Sequence, residues 1–503
     1  MPTHRAISHK DTYLDSVLLL AATRAMLQTE GVDWATAVMA TPANVDALRA
    51  QGIDDGWLDQ ASANDLVLAA QGADDDAVVA GVEAGERALF EARPAAGGGG
   101  AGEAAPARTL DEAVARLPGA NVAIVSVPGP FAALEAHKAI GAGLHVLLFS
   151  DNVPVEEEVE LKERAVRLGR LVMGPGAGTA VLGGCGLGFA NVVRRGRVGV
   201  VAAAGTGAQE VMSLLDQWGA GVSQVIGVGG RDLSEAVGGR MAAAAVQALD
   251  EDPGTDVILL VSKPPSPEVA ERVVAAATRT PVVSALIGVD TLEGGATATL
   301  TALGMPVPDL VAGLADAVER AAARLAPERT LVHGLYSGGT LCYEALGLLG
   351  TVLGTPVWSN IPLDKRYRVP APPGSHVCLD LGEEEYTQGR PHPMIDPEAR
   401  LELLEEAGRQ PDVAAILLDV VLGYGAHPDP AGTLAPRCAE IIGAGGPAVV
   451  AYVLGTEGDP QGLDAQRRTL QEAGCVVAPT GARAALAAAA VALRQPALVK
   501  VLP

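Results

Sequence analysis

Three turns in this sequence place small residues between an apolar strand pattern and a helix pattern. The Thr206 turn consists of Ala204, Gly205, Thr206 and Gly207. The Tyr424 turn consists of Gly423, Tyr424, Gly425 and Ala426. The Ser337 turn, which adds hydroxyl groups, consists of Ser337, Gly338, Gly339 and Thr340. Because the first N–H groups of a helix lack partners within it and lie at the positive end of its dipole, we predict that these turns bind phosphate or a small carboxylate. Any tight strand-to-helix turn also needs small residues, which is the alternative explanation.

Three side chains near these turns are candidates for catalysis: Lys263, His333 and His427. Lys263 follows an apolar strand pattern and would add a point charge beside the Thr206 turn. His427 directly follows the Tyr424 turn, where it would bind a ligand, transfer a proton or cap the next helix. His333 lies on the strand pattern before the Ser337 turn. We predict catalytic roles for all three.

Composition excludes several classes of partner. The net charge is −24 and only 3% of residues are aromatic, so a nucleic acid or an anionic membrane is not expected as a partner. Five widely spaced cysteines without a C-x-x-C pair indicate reduced thiols and a cytoplasmic protein. No group of His, Cys, Asp and Glu has the spacing of a metal site, so we predict no bound metal.

Apolar β-branched runs alternate with amphipathic helix patterns from about residue 110 to the end. This alternation predicts βαβ units and parallel sheets with helices on their faces, which bind ligands beyond the carboxyl ends of the strands. The predicted fold class is α/β, with tandem doubly wound parallel-sheet domains and a small N-terminal α/β or α+β unit. The acidic run at residues 156–163 is expected to be a solvated helix face.

Several short motifs resemble known ligases. Between about residues 108 and 301 the chain resembles the α subunit of succinyl-CoA synthetase and the NDP-forming acyl-CoA synthetases, through VPGPF at 127–131, VIGVGG at 225–230 and DPGTD at 252–256. From residue 377 onward it resembles the C-terminal domain of the β subunit, through CLDLG at 378–382. The fused arrangement, with YLDSV at 13–17 and SGGTLCYE at 337–344, is similar to the FdrA family.

The resemblance implies a domain organisation. The predicted segments are an N-terminal unit at 1–93, a flexible linker at 94–108, a CoA-binding-like Rossmann domain at 109–195, and flavodoxin-like domains of the succinyl-CoA synthetase type at 196–325 and 329–503. It also implies that the domains at 196–325 and 329–503 face each other, so that the Thr206 and Tyr424 turns form two facing phosphate sites.

The sequence departs from the ligases at three parts of their machinery. In the loop at 287–296, Val289 or Asp290 stands where the ligases carry a phosphorylated histidine. Lys263 stands where they place a glutamate that holds this histidine. The glycine-rich CoA turn and the nucleotide-binding ATP-grasp domain are missing. We therefore expect a protein that is not an autonomous CoA ligase.

The FdrA resemblance implies a subunit of a carbamoyltransferase of the oxamate carbamoyltransferase type. Such an enzyme converts a ureido-carboxylate such as oxalurate, with phosphate as co-substrate, to oxamate and carbamoyl phosphate in purine and allantoin catabolism. It implies no tightly bound cofactor, a hetero-oligomer with other carbamoyltransferase subunits, and self-association. Two alternatives remain open: an NDP-forming acyl-CoA synthetase or succinyl-CoA ligase-like subunit that uses CoA or a nucleotide, and a non-catalytic scaffold derived from a ligase.

Overall fold

The structure is a computed structural model that describes residues 3–12, 14, 16–53, 55–91, 107–387 and 391–502. The predicted linker at 94–108 lies outside the described residues except for its last two positions. The chain divides into two compact units, one formed by the described residues of 1–106 and 384–395, the other by those of 107–383 and 396–503. Within the described residues, no helix has both the length and the apolar character that crossing a bilayer requires.

The N-terminal unit is a three-stranded antiparallel sheet with helices on both faces. Its elements are β1 (Thr3–His9), α1 (Ser16–Leu27), β2 (Val32–Met39), α2 (Pro42–Ala50), β3 (Leu66–Gly72) and α3 (Asp75–Glu86). The strand order is β1-β3-β2. Leu66 and Leu68 of the central strand pack with α1 and α3, whereas Val67 and Ala69 pack with α2. This alternation buries both faces of β3 and confirms the expected small α/β or α+β unit.

A small parallel sheet begins the second unit. Its elements are α4 (Leu110–Arg116), β4 (Val122–Val125), α5 (Gly129–Gly141), β5 (His145–Leu148), α6 (Val155–Arg167) and β6 (Val172–Met173). The strand order is β4-β5-β6, and both pairs are parallel. One hydrophobic core joins this sheet and its helices to the next sheet along the chain.

The next sheet has six strands in the order β12-β11-β9-β10-β7-β8. Its strands are β7 (Thr179–Leu182), β8 (Cys185–Gly188), β9 (Arg195–Ala203), β10 (Val222–Gly227), β11 (Val257–Ser262) and β12 (Val282–Leu286). Its helices are α7 (Gly205–Gln217), α8 (Arg240–Glu251), α9 (Pro267–Val274), α10 (Leu292–Ala302) and α11 (Leu314–Ala322). The hairpin β7–β8 was not expected from the sequence, and it adds two antiparallel strands to an otherwise parallel sheet.

The last sheet is entirely parallel, in the order β14-β15-β13-β16-β17-β18. Its strands are β13 (Leu331–Tyr336), β14 (Val357–Trp358), β15 (His376–Asp380), β16 (Val413–Val421), β17 (Ala448–Leu454) and β18 (Val476–Ala478). The helices of this region are α12 (Gly339–Leu353), α13 (Glu384–Thr387), α14 (Glu398–Arg409), α15 (Pro430–Gly443), α16 (Leu463–Glu472) and α17 (Gly481–Leu493), of which α13 groups with the N-terminal unit. The predicted α/β class with tandem parallel-sheet domains is confirmed.

The acidic run on α6 differs from the expectation of a solvated face. Glu158 and Lys162 are fully buried, although their neighbours on the helix include exposed acidic residues. Lys162 Nζ donates to Glu158 Oε1 at 2.6 Å, to Asp232 Oδ1 at 2.7 Å and to the Val228 carbonyl at 2.9 Å. The charged residues of α6 therefore include a buried ionic network. The sequence does not reveal it, because the spacing of charges along a helix does not show which face of the helix packs against the rest of the protein.

Candidate anion-binding site

The Thr206 and Ser337 turns meet at the carboxyl ends of two different sheets. Strand β9 leads into α7 through the first turn, and β13 leads into α12 through the second. The N–H of Thr340 donates to Thr206 Oγ1 at 3.2 Å. A Cβ at Gly207 would lie 2.9 Å from Thr340 Cγ2, and one at Gly338 would lie 2.9 Å from Thr206 Cγ2. Glycine is needed at both positions because the turns approach so closely, and the sheets that contain β9 and β13 meet here.

The start of α7 has donors that the protein leaves unused. Ala204 is the N-cap residue, and its methyl side chain offers no cap to the helix. Within the described part of the chain, the N–H groups of Gly205, Thr206 and Gly207 have no hydrogen-bond acceptor. Free N–H groups at the positive end of a thirteen-residue helix attract an anion. The geometry therefore supports the predicted site at the Thr206 turn.

Asp419 occupies the N–H groups of the Ser337 turn. This carboxylate, at the carboxyl end of β16, accepts from the N–H groups of Ser337 and Gly338 at 2.7 Å each and from Ser337 Oγ at 3.0 Å. Its charge is balanced by the buried Arg400, whose Nη2 lies 3.1 Å from Asp419 Oδ1. The prediction that Ser337 and Gly338 bind an external anion therefore does not fit, because an internal carboxylate already fills the position.

Lys263 lies close to the first residues of both α7 and α12. It follows β11, whose last residue, Ser262, pairs with Ala203 of β9, so Lys263 lies beside the Thr206 turn. Its Nζ is 5.8 Å from the centroid of the Tyr343 ring, a cation–π arrangement. A Cβ at Gly339 would lie 3.5 Å from this Nζ. The structure thus brings together Lys263, the Thr206 turn and the start of α12.

Asp380 is a residue of this site that the sequence did not reveal. It ends β15, and a Cβ at Gly339 would overlap its carboxyl group. Burial raises the pKa of Asp380 to about 7, against the opposing effects of a hydrogen bond from the Gly382 N–H and of the charge on Lys263. The sequence feature that could have identified Asp380 is a single acid at the end of an apolar strand pattern. Asp419 on β16 has the same feature. The site therefore pairs a cation with a carboxyl group that titrates near neutrality.

At the Tyr424 turn, other groups of the protein accept the first two N–H groups. The Gly423 N–H donates to Gln461 Oε1 at 3.1 Å, and the Tyr424 N–H donates to the Ala190 carbonyl at 2.8 Å. A Cβ at Gly425 would lie 2.9 Å from the Phe189 ring. The predicted anion site at Gly423, Tyr424, Gly425 and Ala426 does not fit, because the first two N–H groups are taken, and the Thr206 turn faces the Ser337 turn instead.

His427 stays with the Tyr424 turn. Its Nδ1 accepts the N–H of Asp429 at 3.1 Å, and its carbonyl accepts from Gln461 Nε2 at 3.1 Å. Asp429 in turn caps α15 by accepting the Gly432 N–H at 3.0 Å. These contacts match the capping alternative.

His333 also lies away from the site. It pairs with Val377 in the amino-terminal half of β13, and burial lowers its pKa. The charges that act on it come from Asp412 and Glu406, and the Asp412 carbonyl accepts the N–H of Thr330 just before the strand begins. The predicted catalytic role does not fit, because ligands of parallel sheets bind at the opposite ends of the strands.

Buried carboxyl groups link the helices of the site. Glu210 of α7 accepts the N–H of Gly481 at 3.3 Å, and Glu344 of α12 accepts that of Leu292 at 2.6 Å. Burial raises the pKa of Glu210 to about 8 and that of Glu344 to about 7. Glu293 of α10 is neutralised by the buried Arg483 at 2.6 Å. In the sequence these residues are marked only weakly, as acids on helix faces that are otherwise apolar.

The loop at 287–296 contains no histidine, as the sequence indicated. It forms a tight turn after β12, with the Asp290 N–H donating to the Leu286 carbonyl at 2.8 Å. Val289 is 82% exposed, and Thr291 caps α10 through the Gly294 N–H. A phosphate group carried on a histidine therefore has no counterpart in this loop.

Comparisons with known protein families find three matches along the chain. Residues 335–491 match the CoA-ligase family, residues 193–287 match the CoA-binding domain, and residues 1–106 match the heavy metal-associated domain of AllF. The chain belongs to the succinyl-CoA synthetase and NDP-forming acyl-CoA synthetase-like family. The CoA-binding match falls on residues 193–287 rather than on the predicted CoA-binding-like domain at 109–195, and the predicted domain boundaries stay predictions.

One relative is similar over almost the whole length. The uncharacterized protein YahF of Escherichia coli is 39% identical over 505 residues, which cover 95% of this chain and 96% of that protein. The α subunit of an ADP-forming succinate–CoA ligase from Methanothermobacter thermautotrophicus is 30% identical over 146 residues, 28% of this chain and about half of that subunit, at 48%. Subunit SauD of an ADP-forming sulfoacetate–CoA ligase from Bilophila wadsworthia is 27% identical over 226 residues, 43% of this chain and 76% of that subunit.

Among solved structures, the dinucleotide-forming acetyl-coenzyme A synthetase 1 of Ca. Korarchaeum cryptofilum, in complex with phosphate and ADP, is 18% identical. It covers 76% of this chain and 84% of its own, with a TM-score of 0.27. An ATP citrate lyase from Methanothrix soehngenii, with citrate and coenzyme A, is 18% identical and covers 36% of this chain and 31% of its own, with a TM-score of 0.31.

The predicted carbamoyltransferase activity is wrong, and so is the assignment as a transferase in allantoin catabolism. The family matches are to CoA-ligase and CoA-binding domains, and the relatives with named activities include subunits of acid–thiol ligases. The alternative of an acyl-CoA ligase-like protein accounts for these findings.

The donor groups of the N-terminal unit do not fit a heavy metal, although residues 1–106 match a domain of that description. Soft metals select thiolate ligands, and the first cysteine of the chain is Cys185. His4 lies 3.6 Å from Asp55, and His9 lies 3.1 Å from Glu86. Within the described residues, no three His, Cys, Asp or Glu side chains are grouped to hold a metal ion.

Proposed function

We propose that the chain is a subunit of an NDP-forming acyl-CoA ligase system, and that it carries out the exchange between an acyl phosphate and CoA. The observation that carries this proposal is the convergence of Lys263, Asp380 and the uncapped start of α7 between two ligase-type sheets. The related succinate–CoA and sulfoacetate–CoA ligase subunits support a small carboxylic acid as the acyl substrate.

The phosphoryl group of the acyl phosphate binds at the Thr206 turn in this proposal. The N–H groups of Gly205, Thr206 and Gly207 hold its oxygens, and Lys263 supplies the positive charge. Fixed donors of this kind stabilise the negative charge that builds up on the phosphate as it leaves, without reorganising during the reaction. The same groups hold inorganic phosphate when the reaction runs in reverse.

Asp380 takes the thiol proton. With a pKa of about 7, its carboxylate form is populated near neutral pH and can act as a general base. The CoA sulfur then attacks the acyl carbon, a C–S bond forms, the C–O bond to phosphate breaks, and the proton passes from Asp380 to the phosphate. The products are an acyl-CoA and inorganic phosphate, and no group of the protein is phosphorylated.

The chain acts with a partner subunit in this proposal. A nucleotide is needed to make or use the acyl phosphate, and the family matches of this chain are to a CoA-ligase domain, a CoA-binding domain and an AllF domain. The partner supplies the nucleotide-binding domain. The absence of histidine from the loop at 287–296 fits a phosphoryl group that travels on the small carboxylic acid rather than on the protein.

Within the ligase-like family we assign the chain to the FdrA-type branch. The fused order of the domains and the match of residues 1–106 to an AllF domain support this assignment. The branch describes architecture and is compatible with ligase chemistry.

Replacing Lys263 by methionine is expected to lower the rate of thioester formation by about 100-fold, because it removes the only side-chain cation proposed to hold the leaving phosphate. The assay mixes the full-length chain with CoA and either acetyl phosphate or succinyl phosphate, and follows the ultraviolet absorbance of the thioester. Lys365→Met, at an exposed lysine outside the site, is the control and should keep the wild-type rate.

Two results would contradict the proposal. One is thioester formation by K263M at the wild-type rate. The other is the lack of any thioester formation by the wild type with either acyl phosphate, both alone and after addition of a nucleotide-binding ligase subunit, which would favour a non-catalytic scaffold.

A further inference from the structure

A groove of about 760 Å³ lies at the edge of the last sheet, between α11, α16 and β18. Its size falls within the range of small-molecule sites, about 300–1,000 Å³. It is separate from the anion-binding site. Arg467, which lines the groove, donates to Gln217 Oε1 at 3.0 Å, and Gln217 is the last residue of α7. The groove and the Thr206 turn therefore lie at opposite ends of a helix about 20 Å long.

Three arginines line this groove: Arg320, Arg324 and Arg467. Arg320 and Arg324 are four residues apart on or beside α11, which places them on the same side of the helix. No carboxylate of the described residues forms an ion pair with either of them, although the net charge of the protein is −24. Guanidinium groups that an acidic protein leaves without acidic partners are available to an anionic ligand.

The other residues that line the groove indicate which type of ligand fits it. Leu314, Ala317 and Val476 give an apolar floor, and none of the described residues that line the groove is aromatic. A ligand would therefore be held by its charges rather than by ring stacking. Asp309 is the one carboxylate in the lining, so the arginines exceed acids by three to one. This balance suits a ligand with more than one negative charge.

We propose that the groove binds a small molecule that carries phosphate groups, held by Arg320, Arg324 and Arg467. The planar guanidinium group matches a phosphate with two parallel hydrogen bonds, which a lysine cannot provide. A free polyphosphate, a nucleoside diphosphate and CoA share this chemistry, and the experiment distinguishes them. This site is additional to the acyl phosphate site and does not depend on the proposed function.

Titration calorimetry with the full-length protein tests the proposal, with pyrophosphate, ADP and CoA as separate probes. The double variant Arg320→Gln, Arg324→Gln is expected to weaken the binding of at least one probe on the order of 100-fold, since each lost charged hydrogen bond weakens binding by about tenfold or more. The probe with the largest loss identifies the class of ligand.

Two variants serve as controls. Arg468→Gln changes an exposed arginine of α16 that does not line the groove, and it should bind every probe as the wild type does. Lys263→Met should leave binding in the groove unchanged, which separates this site from the Thr206 turn. The proposal is overturned if no probe binds the wild type, if the double variant binds all three as tightly as the wild type does, or if K263M alone abolishes binding.

Discussion

Replacing Lys162 by alanine is expected to lower the free energy of unfolding by about 3–5 kcal/mol. Lys162 is fully buried and, among the described residues, is the only cation that forms an ion pair with Asp232, while Glu158 forms ion pairs with both Lys162 and Arg231. Without the lysine, the buried Asp232 carboxylate loses its cationic partner, and Glu158 keeps only its ion pair with Arg231. Because Asp232 also accepts the N–H groups of Met241 and Ala242 at the start of α8, its displacement would loosen that helix.

Urea unfolding followed by circular dichroism measures this loss. Lys138→Ala is the matched control, because Lys138 forms an exposed ion pair with Glu135 on the neighbouring helix α5. Surface pairs of this kind contribute about 0–1 kcal/mol, so its midpoint should stay close to that of the wild type. If the two variants unfold at the same urea concentration, the network around Lys162 does not stabilise the protein as the geometry indicates.

The second large effect is a loss of stability between about pH 4.5 and about pH 8 caused by Glu210. Burial raises the pKa of this carboxyl group from 4.5 to about 8, so the folded protein holds the proton more tightly than the unfolded chain does. The stabilising contribution of the proton is therefore complete below pH 4.5 and is lost as the pH rises toward about 8. One such group changes the free energy of unfolding by about 1.4 kcal/mol per pH unit in this range.

The Glu210→Gln variant isolates this effect, because its amide replaces the protonated carboxyl group without a charge. We expect E210Q to gain stability over the wild type steadily between about pH 5 and about pH 8, measured by urea unfolding at each pH. Glu251→Gln, at an exposed position, is the control and should follow the wild type. A constant difference between E210Q and the wild type across this range would show that Glu210 is ionised in the folded protein.

The strands and helices of the second unit were largely predictable, because parallel strands buried on both faces appear in the sequence as continuous apolar runs. β9, β11, β13, β16 and β17 are of this kind. The hairpin β7–β8 was missed for the opposite reason. Cys185–Gly188 contains two glycines and no β-branched residue, and its pairing with β7 depends on contacts that the local sequence does not encode.

The anion site could be predicted only in part. The Thr206 turn and Lys263 follow strands that pair side by side, so local patterns were enough to place them together. Asp380 and Asp419 come from strands of another sheet, and nothing in the sequence alone shows that the two sheets meet at Thr206 and Thr340. Which carboxyl groups lie beside the first residues of α7 and α12 therefore depends on the tertiary structure.

The Tyr424 turn shows why a glycine-bearing helix start does not by itself identify an anion site. Its glycines have positive φ angles, 111° at Gly423 and 81° at Gly425, so they are required by the backbone of the turn. Gln461 and Ala190, far away in sequence, accept its N–H groups. The same pattern at the Thr206 turn lacks such acceptors within the described residues, and this difference is visible only in the folded protein.

We expect an oxyanion to bind at the start of α7 beside Lys263. Crystals soaked with tungstate, a phosphate analogue with strong anomalous scattering, test it directly. We predict a tungstate ion within hydrogen-bond distance of the N–H groups of Gly205, Thr206 and Gly207 and close to Lys263 Nζ, and no such ion in crystals of K263M. A tungstate ion at the Tyr424 turn, together with an empty Thr206 turn, would show that the start of α7 is not the anion-binding site.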